Sequence, residues 1–228
     1  MSFSKSMKYY LLLLTLTGAT FCISNTAKGQ DTLYLPNVSQ LLDKEKYSDV
    51  KGSQYLYEEW LPARALLANG SFENVDKLNF NGHSKELEIM VGEQLRQVPA
   101  FAYIKVTVEH DGYENIFIRG IHPEFRGDLV CLLYDGNNVK FVLKFVVKLE
   151  EIAEPNAITK KFIRRSEYYL IKDGRISEVL LKKKKILAPL VQKGIDLEAY
   201  IEENDLNLKT EAEVINLLKY YDSEVEKR

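Results

Sequence analysis

Cysteine is almost missing from this chain of 228 residues: there are two, Cys22 and Cys131. Cys22 falls in an apolar N-terminal stretch that is expected to be removed, so no internal disulfide framework stabilises the rest. Histidine is scarce as well, with His83, His110 and His122 far apart. A zinc centre needs three or four nitrogen or sulfur ligands, and neither His-Glu-x-x-His nor paired cysteines occur. A basic excess is lacking too: 31 basic side chains meet 33 acidic ones. That balance argues against a general nucleic-acid binder. Past the N-terminus no run approaches the roughly 20 apolar residues of a membrane-spanning helix.

Catalytic signatures are absent in the same way. The chain has no Walker loop, no dinucleotide fingerprint and no Gly-x-Ser-x-Gly, and the Ser-x-x-Lys match at Ser2 to Lys5 sits inside the N-terminal stretch. Cys131 lies in the apolar run Leu129-Val-Cys-Leu-Leu-Tyr134, where a thiol is a small buried hydrophobe. Glu58-Glu59 and Glu150-Glu151 are neighbours in extended chain, and neighbours on a strand point to opposite faces, which makes poor acid/base couples. No cofactor is expected, and the balance falls on the non-enzyme side.

What is present begins with a leader. Lys5 and Lys8 precede the apolar run from Leu11, and small residues Ala27 and Gly29 occupy the -3 and -1 positions before Gln30. This is the layout of a secretory signal peptide. Residues 1–29 are therefore expected to be cleaved, and the chain to work outside the cytoplasm, in the periplasm or on the outer membrane. A lipidated Cys22 is the lesser reading, because bulky Phe21 stands where a small residue is needed. Removing Lys5, Lys8 and Lys28 leaves 28 basic against 33 acidic side chains, a net charge of -5.

Residues 30–181 have the texture of antiparallel strands. Val139, Phe141, Leu143, Phe145, Val147 and Leu149 alternate with Lys140, Lys144 and Lys148, which predicts a strand with one buried and one wet face. Asn69-Gly70, Asp135-Gly136 and Asp173-Gly174 punctuate apolar runs as hairpin turns, where glycine tolerates positive φ. Residues 182–228 change period. Thr210-Glu-Ala-Glu213 is a capping box, and Val214, Leu217, Leu218 and Tyr221 follow at helical spacing. A shorter helix is expected around Leu197 to Ile201, and another near Ile186 to Val191. The expected fold is α+β: a mostly antiparallel meander, sandwich or partial barrel, followed by a small C-terminal helical unit packed on it.

Two groups are candidates for binding. Tyr55, Tyr57 and Trp60, with Tyr47 upstream, form an aromatic cluster able to stack on sugar rings or anchor a protein partner; the competing role is a core anchor where the sheet begins. Lys182, Lys183, Lys184 and Lys185 form the strongest charge run, inside a segment 158–185 with 10 basic and 3 acidic side chains. Such a run can touch anionic lipid, glycan or a partner, or simply be a solvated junction.

Lys51-Gly52-Ser53-Gln54-Tyr55-Leu56, Glu59-Trp60, Tyr168-Tyr169-Leu170-x-Lys172-Asp173-Gly174 and Leu217-Leu-Lys-Tyr-Tyr221 together resemble a group of uncharacterised exported proteins of Bacteroidota. That group opens on Lys-Gly-Ser/Thr-Pro-Tyr-Leu and closes on Tyr-Tyr-Asn; this chain departs at Gln54 and at Asp222. The resemblance implies an envelope or secreted location and brings no catalytic or binding residue with it. In that setting Asp31-Thr32-Leu33 is similar to an O-glycosylation pattern. The expectation is an exported, envelope-associated, non-enzymatic module that binds an envelope protein or glycan. The alternative is an envelope hydrolase with an acid/base site that no motif marks.

Overall fold

Residues 34–155 and 157–227 are described by the computed structural model; the leader, Cys22 and Asp31-Thr32-Leu33 lie outside them. A short helix α1 (Leu35–Val38) and a two-residue strand β1 (Gln40–Leu41) come first. Then follow β2 (Leu61–Leu67), β3 (Phe72–Asn81), β4 (Glu86–Val91), β5 (Gln94–Gln97), β6 (Tyr103–His110) and β7 (Tyr113–Ile118). The sheet continues through β8 (Val130–Asp135), β9 (Val139–Glu154), β10 (Ala157–Lys172) and β11 (Arg175–Val179). Helices α2 (Lys183–Leu187), α3 (Leu197–Glu203) and α4 (Glu211–Glu226) close the chain. All eleven strands belong to one antiparallel sheet in the order β1-β5-β4-β3-β2-β6-β7-β8-β9-β10-β11, open at β1 and β11. The meander is broken once: β3, β4 and β5 run outward from one side of β2, and β6 returns to its other side.

The hairpins follow the turn chemistry with one exception. Asp173 and Gly174 have φ of 50° and 70°, the paired left-handed conformation of a two-residue turn. Gly136 does not: it is absent from the positive-φ residues, and its smallness serves packing instead. A Cβ there would fall onto the carboxylate of Asp222 in α4. That carboxylate accepts from the Asn138 amide at 3.1 Å and from the Tyr134 hydroxyl at 2.8 Å, so α4 is pinned to the β8–β9 turn.

Along β9, Val139, Phe141, Leu143, Phe145 and Val147 are buried in the main core. Leu149 is 37% exposed where the β9–β10 hairpin runs beyond its neighbours. The opposite face is not wholly wet. Val142 packs there with Phe125, Val130, Leu132 and Ile171, a second apolar cluster that the β7–β8 connection covers.

Strand twist curls the sheet. Neighbouring strands rotate by about 20–25°, and although five steps separate β3 from β9, the residue after β3, Gly82, meets β9 directly. At the crossing the Val147 amide donates to the Gly82 carbonyl at 3.0 Å. A Cβ on Gly82 would sit 2.6 Å from the Phe145 ring and 2.8 Å from Val147. The segment before β2 laces the same corner. Lys51 exchanges backbone hydrogen bonds with Lys160 and Phe162, both 3.0 Å, while the Leu56 amide donates to the Phe80 carbonyl at 2.9 Å.

The concave face is filled. Phe80, Phe117, Phe141 and Phe145 meet Ile186, Leu190, Leu197, Ile201, Val214, Leu217, Leu218 and Tyr221 from the helices in one core. The capping box forms as the sequence predicts: Glu213 Oε2 accepts from the Thr210 amide at 3.1 Å, and Thr210 Oγ1 accepts from the Glu213 amide at 3.3 Å. Among the described residues no helix is long and apolar enough to cross a membrane.

Gly82→Ala is expected to lower unfolding stability by about 1–3 kcal/mol, the cost of overpacking a filled core. In a double-mutant cycle with Phe145→Ala, chemical denaturation should show clearly less than additive loss, because the smaller ring makes room for the new methyl. Strict additivity would mean that the Gly82–Phe145 approach does not limit the fold.

Candidate functional site

Asn79 is fully buried on β3, and its side chain organises the chain just ahead of β2. Its Nδ2 donates to the carbonyls of Tyr57 and Glu59, both at 3.0 Å, and its Oδ1 accepts from the Tyr57 amide at 3.2 Å. Residues 56–59 are thereby held in a bend. The bend sends the two tyrosines to different places. Tyr57 turns into the core at 5% exposure, where its hydroxyl accepts from Asn115 Nδ2 at 3.0 Å and its ring meets His110 and Phe117. Tyr55 stays half-buried beside Trp60, with ring centroids 5.1 Å apart and planes at 61°.

Trp60 and Tyr55 form one wall of an open cleft of about 550 Å³, completed by Gln54, Lys77, Met90 and Leu95. Glu88 of β4 holds this wall from behind. It is 2% exposed, and its carboxylate accepts from the Tyr55 hydroxyl and from Asn81 Nδ2, each at 2.7 Å. Burial pushes the Glu88 carboxyl above its ordinary range, against the hydrogen bonds from Tyr55, Asn81 and Ser84. The Tyr55 phenol is pushed up in turn, by burial first and by the Glu88 charge second. The Tyr55 half of the wall is therefore held by the protein's own carboxylate, which reduces the ordering cost of any contact made there. A second, smaller cavity of about 90 Å³ adjoins it, lined by Tyr47, Gln54, Asn81 and Glu88 among others.

The lysine run lies elsewhere. Lys182, Lys184 and Lys185 are exposed at the start of α2, and Lys183 is half-buried with its Nζ 4.0 Å from Glu198. None of the four lines the Tyr55–Trp60 cleft. Their basic neighbours on β10 have local partners: Lys160 pairs with Asp49 at 2.8 Å, Arg165 with Glu167 at 3.0 Å, and Arg164 donates to the Leu56 carbonyl at 2.9 Å.

The histidines are dispersed. His83 packs edge-on to Tyr47, His110 lies against Tyr57, and His122 Nδ1 accepts from the Glu124 amide at 3.3 Å. Among the described residues no group of three or more His, Cys, Asp or Glu could hold a metal ion. Cys131 is buried; burial first, and the Glu211 charge second, push its thiol pKa far up, so it stays protonated.

Sequence reasoning missed the polar side chains behind the aromatic wall. The readable signal was Asn79-Phe80-Asn81, since asparagine is depleted in strand interiors and two flanking a buried Phe suggest a buried job. Glu88 carries no such local mark. No family model, no curated protein and no solved structure matches this chain.

Glu88→Gln should fold, because its amide can donate to the Tyr55 oxygen while its carbonyl accepts from Asn81. The wild-type carboxyl has a raised pKa in the fold. Its favourable contribution is thus full below the pKa of an exposed glutamate, about 4.3, and is lost as pH rises through the folded value. Thermal melts should show the variant gaining on the wild type between pH 4 and pH 7.5. A constant difference across that range would mean that Glu88 carries no burial cost.

Proposed function

We propose that this chain is an exported, non-enzymatic binding module of the bacterial envelope, and that the Tyr55–Trp60 cleft seats a sugar unit of an envelope glycan. The carrying observation is the preset aromatic wall: two rings 5.1 Å apart, one hydroxyl held by a buried carboxylate, facing an open cleft. Sugar rings offer apolar C–H faces to aromatic rings and hydroxyls to polar rims, and Gln54, Glu59, Lys44 and Lys77 supply such a rim. The filled interior supports a surface role, because the concave face is occupied by the chain's own helices.

Export rests on the leader layout of residues 1–29, and the envelope setting on the resemblance to exported Bacteroidota proteins. The exposed lysines of 182–185 supply a second contact, to anionic groups of the same polymer, and an envelope protein is the other partner class for this face. Nucleic acid is not a partner in this reading.

Trp60 is the only tryptophan, so its fluorescence reports the cleft directly. Titration with β-1,4-linked N-acetylglucosamine oligomers and with neutral hexose oligomers should give a saturable emission change for at least one. Trp60→Ala should weaken binding about tenfold, the roughly 1.4 kcal/mol of one good stacking contact. Flat titrations with both sugars, or unchanged calorimetric affinity of the variant, would overturn the glycan reading. For export, mass spectrometry of the protein from an envelope fraction should find Gln30 as the first residue; an intact residue 1–29 segment on the envelope protein would sink it.

A further inference from the structure

A second pocket, of about 310 Å³, opens where α4 meets the sheet, and no residue of the Tyr55–Trp60 cleft lines it. The β6–β7 turn gives it His110, Asp111 and Tyr113, β10 gives Tyr168, and the start of α4 gives Glu211. Glu211 accepts from the Tyr168 hydroxyl at 2.8 Å through Oε1. Its Oε2 has no hydrogen-bond partner among the described residues. Burial raises the Glu211 carboxyl, Tyr168 and His110 pull it back, and Asp111 adds to the rise. One oxygen of this partly buried carboxylate is thus left for a ligand, and a cation placed against it offsets the cost of burial.

The walls suit a cation as well. Tyr113 and Tyr168 contribute aromatic surface, and the Tyr113 ring already carries an ammonium group, Lys219 Nζ, 5.2 Å from its centroid. Leu181 and Ile215 add apolar surface for an alkyl chain. We propose that this pocket receives a ligand bearing a primary ammonium or guanidinium group on an alkyl stem, paired with the free oxygen of Glu211 between the tyrosines. The ammonium gains a charge-assisted hydrogen bond to the free oxygen of Glu211. The inference stands independently of the glycan reading.

Acid works against binding at Glu211, which takes up a proton as pH falls and then offers the amine no charge. His110, Asp111, Lys209, Tyr113 and Tyr168 face the carboxylate around the same pocket, and Lys219 stands over the Tyr113 ring. Affinity for an amine therefore falls as pH falls.

The test is an amide-resonance titration of the whole protein at pH 7.5 with agmatine, with cadaverine, and with end-blocked pentapeptides carrying a central Lys, Arg or norleucine. Saturable shifts are expected at residues 110–115, 168 and 209–212, with the Trp60 indole signal unmoved. Response to the free amines identifies a small diamine as the source; response to the Lys or Arg peptide alone identifies a basic peptide. Glu211→Gln keeps an acceptor for Tyr168 and should weaken binding at least tenfold at pH 7.5. Tyr168→Phe keeps the carboxylate and should bind within a few-fold of the wild type. The proposal is overturned if no probe shifts these residues, if the norleucine peptide matches the lysine peptide, or if Glu211→Gln binds as tightly as the wild type.

Discussion

The close approach of β3 to β9 at Gly82 is the constraint on which the rest of the structure depends. An eleven-stranded antiparallel ribbon with free edges has no single preferred curvature. Here the missing side chain at Gly82 lets the two backbones come within hydrogen-bonding reach over the Phe145 ring. Once that crossing is made, the segment around Lys51 can reach both β10 and β3. The bend at residues 56–59 then has a fixed base, and Trp60 a fixed direction. The placement of the Tyr55–Trp60 wall is thus a by-product of how the sheet is folded over.

Buried polar groups do much of the positioning. Asn79 ties three backbone groups of residues 57–59, Glu88 holds Tyr55, and Asp222 ties α4 to a turn on the sheet. Each is a short-range pin between segments that packing alone would leave free to slide. Such groups cost stability when unpaired and specify one arrangement when paired. Glu88 and Glu211 differ in this respect: the first has both oxygens engaged and the second has one. That contrast separates a carboxylate that supports a wall from one that faces a pocket.

Local features were legible in the sequence, and features that depend on chain crossing were not. The alternation of Val139 to Val147, the Asp173-Gly174 turn and the Thr210–Glu213 box each depend on residues within a few positions, and each formed. Asp135-Gly136 marks a turn correctly, but the reason for its glycine lies 86 residues away in Asp222. Tyr55 and Tyr57 look equivalent as letters, yet one lines a cleft and the other is core, because Asn79 bends the chain between them. His110 and Glu211 share a pocket without any spacing that a motif could express.

The position of α4 has a consequence for the order in which the molecule can be completed. Val214, Leu217, Leu218 and Tyr221 supply side chains to the same core as the earliest strands. A chain that emerges from a ribosome N-terminus first therefore carries its sheet for some time with the concave face unfilled. The core is complete only once residues 211–226 are free to pack, which makes α4 the timer of the last folding step.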